Sequence, residues 1–111
     1  MNQLEQTNIE LKFDQRMLLV YEQAKAELNY HATRFQSLVR SVGGVDAAKQ
    51  LLSTRHYSEG LTRLWEEGRL DISMEAAVLE KSWQELFTAD ELETAKLRLT
   101  KLGYDIPVVR E

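Results

Sequence analysis

Apolar residues recur at steps of three and four along most of this chain, and this spacing predicts helices. The longest such series spans residues 14–42. Its apolar positions lie on one face of a helix, as a buried helical face requires. They are Met17, Val20, Tyr21, Ala24, Leu28, Ala32, Phe35, Leu38, Val39 and Val42.

The boundaries of this series are marked by residues that start or stop helices. Asp14 can cap its beginning, and Gly43-Gly44 can end it because glycine adopts the left-handed cap conformation at little cost. Asn29 is a point where the helix can break. The segment is therefore predicted as either one helix or two.

Four further helical segments are predicted from capping residues and glycine stops. Ser58 and Ser73 can cap helices, and Gly68 can end the first of them. Thr88 and Glu91 have the spacing of a capping box, in which each side chain bonds the other residue's backbone N–H. The predicted helices cover about 45–53, 59–67, 74–81 and 89–102, with a helical turn over about 82–87.

The two ends of the chain show a different pattern. Apolar residues alternate with polar ones over Ile9–Phe13, which is typical of a short strand, and an extended arm is the equal alternative. At the other end, an apolar tail is predicted to pack on the core or to pair with Ile9–Phe13 as a two-stranded ribbon. The expected organisation is an extended arm or strand over 1–13, a helical domain over 14–105 and a C-terminal tail over 106–111.

The predicted fold class is all-α, a single compact helical bundle of five or six helices. Trp65 is expected to anchor its core because large aromatics dominate burial energetics, the alternative being an exposed binding platform. The predicted core comprises Leu18, Tyr21, Leu28, Phe35, Leu38, Leu51, Leu52, Leu61, Leu64, Trp65, Leu70, Ile72, Val78, Leu79, Trp83, Leu86, Phe87, Leu92, Ala95, Leu99 and Leu102.

Composition agrees with one ordinary globular domain. The chain has 111 residues, 43% of them hydrophobic and 29% charged, both typical of soluble domains. It contains no cysteine, which excludes thiolate nucleophiles, cysteine zinc sites and iron–sulfur ligation. No apolar run approaches the roughly 20 residues that span a bilayer, and the N-terminus lacks secretory-signal features. We therefore expect a cytoplasmic protein with no membrane partner.

Charge is distributed unevenly. The formal net charge is −4, and most of the carboxylates lie in the second half of the chain. An acidic half is poorly suited to a nucleic-acid backbone, because Lys and Arg supply most of that affinity.

The block Leu61 to Glu80, LTRLWEEGRLDISMEAAVLE, has the outline of a DNA-reading helix-turn-helix. A recognition helix presents basic or amide side chains to base edges, whereas the second helix here offers Glu75 and Glu80. We interpret the block as two helices folding back to form core, with Leu70 and Ile72 buried.

A weakly basic strip over residues 29–56 is the candidate for nucleic-acid or acidic-partner contact. Its basic residues are Arg34, Arg40, Lys49 and Arg55, with His31 and His56 and several aromatic residues nearby. Such a strip can bind nucleic acid or an acidic partner. A solvated face with ordinary charge scatter is the interpretation we favour.

Candidate catalytic chemistry is sparse. The two histidines are too far apart in sequence for a local zinc motif, and nucleotide-binding and serine-hydrolase motifs are absent. Glu66, Glu67, Asp71 and Glu75 cluster around Gly68, but acid–base work would require them to converge. We predict no catalytic, cofactor-binding or metal-binding residue, and no enzyme.

The block from Leu51 to Asp105, with the words LWEEGRLDISMEAAVLE and LFTADEL, resembles a small helical domain of bacterial proteins that has no assigned function. This resemblance implies a compact helical domain of bacterial or mobile-element origin. It implies no activity, cofactor or site residue.

These observations predict a non-enzymatic protein-interaction or regulatory module. A homodimer is one form of it, made by exchange of the Ile9–Phe13 arm or of the tail with Val108 and Val109. The alternative is a nucleic-acid-associated accessory protein that uses the basic strip.

Overall fold

The computed structural model describes residues 7–55 and 57–107, and this part of the chain is helical with no strand. The all-α prediction is confirmed. The six α-helices are α1 (Asn8–Leu28), α2 (Thr33–Val42), α3 (Gly44–Leu52), α4 (Glu59–Glu66), α5 (Met74–Val78) and α6 (Ala89–Lys101), and short 3-10 helices cover Leu70–Ile72 and Lys81–Leu86. None of these helices is long and apolar enough to cross a membrane.

The first helix begins earlier than predicted, so the strand or arm over Ile9–Phe13 is wrong. Thr7 caps α1 and forms a capping box with Glu10, whose side chain accepts the Thr7 N–H. Phe13 is fully buried and belongs to the same helical face as Met17. The alternation arose because Leu11 lies on the exposed side of a helix. Residues 1–6 lie outside the described part of the chain.

The segment over 14–42 is two helices, as one of the two alternatives predicted. Asn29 adopts the left-handed conformation with φ of 54° and ends α1. Gly43 then separates α2 from α3 with φ of 92°. The Asp14 side chain caps no helix of its own; its Oδ1 accepts the Gly44 N–H at 2.6 Å, so α1 caps α3 instead.

The second half follows the predicted caps closely. Ser58, Ser73 and Thr88 each accept a backbone N–H in the first turn of α4, α5 and α6. Helix α5 is shorter than predicted, because the chain leaves it at Leu79 and continues as the 3-10 helix over Lys81–Leu86.

Most of the predicted core is buried or partly buried, and Leu70 and Ile72 are buried as expected. The prediction that Trp65 anchors the core is wrong, since 48% of this residue is exposed. Leu61 and Leu64 form the buried side of α4, and Trp65 lies roughly 70° around the helix from the middle of that pair. Met17, Val20, Ala24 and Val39, which were predicted on the apolar face over 14–42, are buried as well. Further buried residues that the predicted core did not include are Phe13, Ala47, Ala48, Met74 and Ala77.

An aromatic cluster joins α1 to the segment before α6. The ring of Phe13 meets the rings of Trp83 and Phe87 edge to face, at centroid distances of 5.3 and 5.4 Å. Nearby, Glu80 accepts hydrogen bonds from Arg16 and from the Trp83 indole N–H. These contacts fix one side of the bundle.

After α6 the chain turns at Gly103, and Tyr104 and Ile106 pack partly buried against the core. The prediction that this tail pairs with Ile9–Phe13 as a two-stranded ribbon is wrong, because Ile9–Phe13 is helical. Val108 and Val109 lie outside the described residues.

Candidate functional site

A cleft with a volume of about 580 Å³ opens between α1, the start of α2, and α4. Its walls are more apolar than polar, and most of the polar groups lie at or just before the starts of helices. The apolar lining comprises Val20, Tyr21, Ala24, Ala32, Phe35, Leu38, Leu51, Leu61, Leu64 and Met74. The polar lining comprises Tyr30, His31, Thr33, Arg34, Ser58, Glu59, Ser73 and Glu75, and Gly60 also lines the cleft.

The α2 wall is shaped by the break after α1. The left-handed Asn29 turns the chain, and the Tyr30 N–H returns to the Ala24 carbonyl at 3.1 Å. Helix α2 then begins beside the cleft with no side-chain cap. Arg34, in its first turn, is exposed at the cleft rim.

The α4 wall begins at Ser58, whose hydroxyl accepts the Leu61 N–H at 3.0 Å. Gly60 follows in the first turn of α4, where a Cβ atom would lie 3.6 Å from the Tyr30 hydroxyl. That is an ordinary contact distance, so an alanine fits at position 60, and a larger side chain there would start beside Tyr30.

Tyr30 connects the two walls. The Arg63 guanidinium lies over its ring, 4.9 Å from the centroid. Burial raises the pKa of Tyr30, the charge of Glu59 raises it further, and Arg63 acts in the opposite direction. The phenol therefore stays protonated at neutral pH and can donate a hydrogen bond at the cleft wall.

The floor is formed by the start of α5. The Ser73 hydroxyl accepts the Ala76 N–H and donates to the Leu70 carbonyl. Glu75, which also lines the cleft, is 2% exposed, and its Oε2 accepts from Arg98 Nη1 at 3.1 Å. Burial raises the pKa of Glu75, and Arg98 opposes that rise.

Arg98 supports this floor from behind. Its Nη2 donates to the carbonyls of Leu51, Leu52 and Thr54, at 3.0, 3.3 and 2.8 Å. A cation at the end of α3 is favourable, because the last carbonyls of a helix carry partial negative charge. One guanidinium thus joins α3, α5 and α6.

The predicted basic strip is not gathered around one concavity. Arg34 lines the cleft, whereas Arg40 lines a smaller depression beside Asp14 and Leu18. Lys49 forms an ion pair with Glu91 at 2.7 Å and lies over the Phe87 ring. Arg55 is exposed, and His56 lies outside the described residues.

The acidic residues around Gly68 do not converge on one point. Glu67 pairs with Arg63, Asp71 pairs with Arg69, and Glu75 pairs with Arg98. Glu66 is exposed. Within residues 7–55 and 57–107, no group of three or more His, Asp or Glu side chains is placed to hold a metal ion.

Two features of the site were missed from the sequence. The cleft depends on which helices meet, which periodicity alone does not determine. The buried pair left a weak signal, since Glu75 stands within the apolar segment Met74–Val78 and Arg98 stands between Leu97 and Leu99. An isolated charge flanked by apolar residues is a candidate for a buried ion pair.

Comparison with known proteins identified no matching family model, curated protein or solved structure.

Proposed function

We propose that this chain is a non-enzymatic protein-interaction module, and that the cleft between α1, α2 and α4 holds apolar side chains of a partner protein. The observation that carries this proposal is the cleft itself. Its volume of about 580 Å³ lies within the range of small-molecule pockets, so it has room for one or two bulky apolar side chains.

The chemistry of the lining supports binding rather than catalysis. Ser58 and Ser73 are occupied as helix caps, and Glu75 is held by Arg98. A nucleophile needs an adjacent base within hydrogen-bond reach, and the hydroxyl of Ser73 is directed to a backbone carbonyl instead.

The apolar lining supports a protein segment as the occupant. Grooves between helices commonly bind segments that insert a few apolar anchors, and aromatic and aliphatic anchors in such pockets provide most of the binding energy. Tyr21, Phe35 and Met74 offer surfaces for an anchor of this kind.

A peptide-display selection on the full chain tests the proposal. Gly60→Trp is the blocking variant, because its side chain would project beside Tyr30 into the cleft. Gly60→Ala is the matched control, since it adds only a Cβ at ordinary contact distance. We expect peptides that share a bulky apolar residue and bind wild type and Gly60→Ala, but bind Gly60→Trp at least tenfold more weakly. Absence of enriched peptides, or equal binding to all three proteins, would contradict the proposal.

The nucleic-acid alternative has less support from the geometry. Lys49 is already paired with Glu91, and Arg34 and Arg40 line different concavities. This alternative predicts a nucleic-acid binding constant whose logarithm falls steeply with the logarithm of salt concentration. A gel-shift panel that stays blank at low salt would end it.

The homodimer remains a proposal only in the form made by exchange of the tail with Val108 and Val109. We no longer propose that two chains exchange Ile9–Phe13, because this segment lies within α1 and contributes the buried Phe13 to the core. Light scattering of the full chain at high concentration measures the oligomeric state directly.

A further inference from the structure

We infer that the segment bound by the cleft carries a carboxylate next to its apolar anchor, and that Arg34 receives this carboxylate. This inference rests on the proposed function and specifies the partner's chemistry. Arg34 lines the cleft, is exposed at its rim, and has no ion-pair partner among the residues that the structure describes.

The other arginines near the cleft are engaged within the protein. Arg63 pairs with Glu67 and covers the Tyr30 ring. Arg98 is bound to Glu75 and to the end of α3. Among the residues that the structure describes, Arg34 is therefore the arginine at this cleft that remains available to a partner.

Helix α2 and the residues that flank it carry basic side chains and no acidic ones. Residues 29–45 contain Arg34 and Arg40 and no Asp or Glu. On the opposite wall, Glu59 lies in the first turn of α4, where a negative charge is favoured by the helix dipole, and Arg63 is one turn further along. A carboxylate approaching the α2 side of the cleft thus meets Arg34, which forms no ion pair within the described residues, while Glu59 makes the α4 side less favourable for it.

Complementary charge at the rim of an interface selects partners and orients them more than it adds affinity. An apolar anchor alone would enter the cleft in several orientations. A carboxylate at Arg34 would favour those in which the anchor's acidic neighbour faces α2. The protein's net charge of −4 disfavours acidic segments elsewhere on its surface.

The test extends the peptide selection described above. We expect the enriched peptides to have Asp or Glu within one or two positions of the bulky apolar residue. Arg34→Glu should weaken their binding by roughly three- to tenfold, since an exposed pair contributes little by itself and reversal adds repulsion. Replacing the peptide acid by Gln should weaken binding to wild type but not to Arg34→Glu.

Two variants provide controls with comparable charge change. Lys96→Glu on α6 reverses an exposed charge away from the cleft and should leave peptide affinity unchanged. Arg40→Glu changes the same helix as Arg34 but outside the cleft, and it should have a smaller effect than Arg34→Glu. Equal losses of peptide affinity for Arg34→Glu and Arg40→Glu would show that only the overall charge of α2 matters. That result would overturn the assignment of Arg34 as the residue that receives the carboxylate.

The failures of the two proposals are distinguishable. Peptides that share an apolar anchor, are blocked by Gly60→Trp and lack an acid would overturn this inference while leaving the interaction module intact. Unchanged binding by Arg34→Glu would do the same. A selection that yields no peptide, or binding of duplex DNA that Arg34→Glu and Arg40→Glu both abolish, would overturn both.

Discussion

Glu75 and Arg98 form an ion pair inside the protein, with Oε2 of the carboxylate 3.1 Å from Nη1 of the guanidinium. Their side chains are only 2% and 6% exposed. The pair lies beneath the cleft, and the second guanidinium nitrogen bonds the carbonyls at the end of α3. The cleft floor is therefore fixed by a charged contact rather than by apolar packing alone.

Removing one partner of this pair should destabilise the fold strongly. Arg98→Met leaves a buried carboxylate without its cation and several carbonyls without a donor, so we expect a loss of about 3–5 kcal/mol in the free energy of unfolding. Urea denaturation of both proteins measures it. A loss below about 1 kcal/mol would mean that water or another side chain replaces Arg98.

The same pair predicts a large coupling energy. Replacing both residues in Glu75→Met/Arg98→Met should cost less than the sum of the two single losses, because the double variant buries no uncompensated charge. A double-mutant cycle in urea gives the coupling directly. Additive losses would show that the two charges act independently.

A side chain at Gly44 is expected to destabilise the contact between α1 and α3. A Cβ there would lie 3.0 Å from the Asp14 Cα and 3.1 Å from the Met17 Cγ, where α1 and α3 meet. Gly44→Ala should therefore reduce stability by about 1–3 kcal/mol through overpacking. Thermal unfolding followed by circular dichroism checks this, and a stabilised variant would show that the helices separate without cost.

Gly60 should behave in the opposite way. Its Cβ would be 3.6 Å from the nearest side-chain atom outside its own turn, and alanine is the better helix former. Gly60→Ala should raise stability by roughly 0.5 kcal/mol. Comparison of its urea midpoint with that of Gly44→Ala separates helix propensity from steric conflict, and a destabilised Gly60→Ala would indicate that the walls of the cleft lie closer together.

Stability should fall when acid protonates Glu91. Burial alone would raise the pKa of Glu91, but hydrogen bonds from Lys49 and the Thr88 backbone outweigh it and lower the pKa below its usual value of 4.5. As pH falls, the unfolded state therefore binds a proton at Glu91 before the folded state does. The contribution of ionised Glu91 to the free energy of unfolding is present above pH 4.5 and is lost as pH falls through the folded-state pKa.

Glu91→Gln removes this titration. We expect the free energy of unfolding, measured in urea from about pH 6 to about pH 3, to fall less steeply in the variant than in wild type. The opposing contribution of Glu75, whose pKa is raised, is present in both proteins and cancels in the comparison. Parallel curves would contradict the role assigned to Lys49 and Glu91.

The helix boundaries were largely predictable because they depend on local chemistry. The caps at Ser58, Ser73 and Thr88 and the break at Asn29 each act within one turn of their own residue. The start of α1 was missed although Thr7 and Glu10 have the same capping-box spacing as Thr88 and Glu91. The alternation over Ile9–Phe13 is typical of a strand, whereas Thr7 and Glu10 indicate the helix that the structure shows.

Features that depend on packing between helices were not predictable from periodicity. The burial of Phe13 and the exposure of Trp65 depend on which neighbour covers each ring. The cleft combines Arg34 on α2 with Gly60 on α4, 26 positions apart in the chain. Sequence could suggest Arg34 as a contact residue, but it offered no sign of the cavity beside it.

The ratio of peptide dissociation constants for Gly60→Trp and Gly60→Ala, measured by titration calorimetry with one selected peptide, tests the central claim most directly. A side chain that occupies the cleft should raise the ratio to at least about ten, a difference of roughly 1.4 kcal/mol, while circular dichroism shows both variants folded. A ratio near one for two folded proteins would place the peptide elsewhere and contradict the cleft as the binding site.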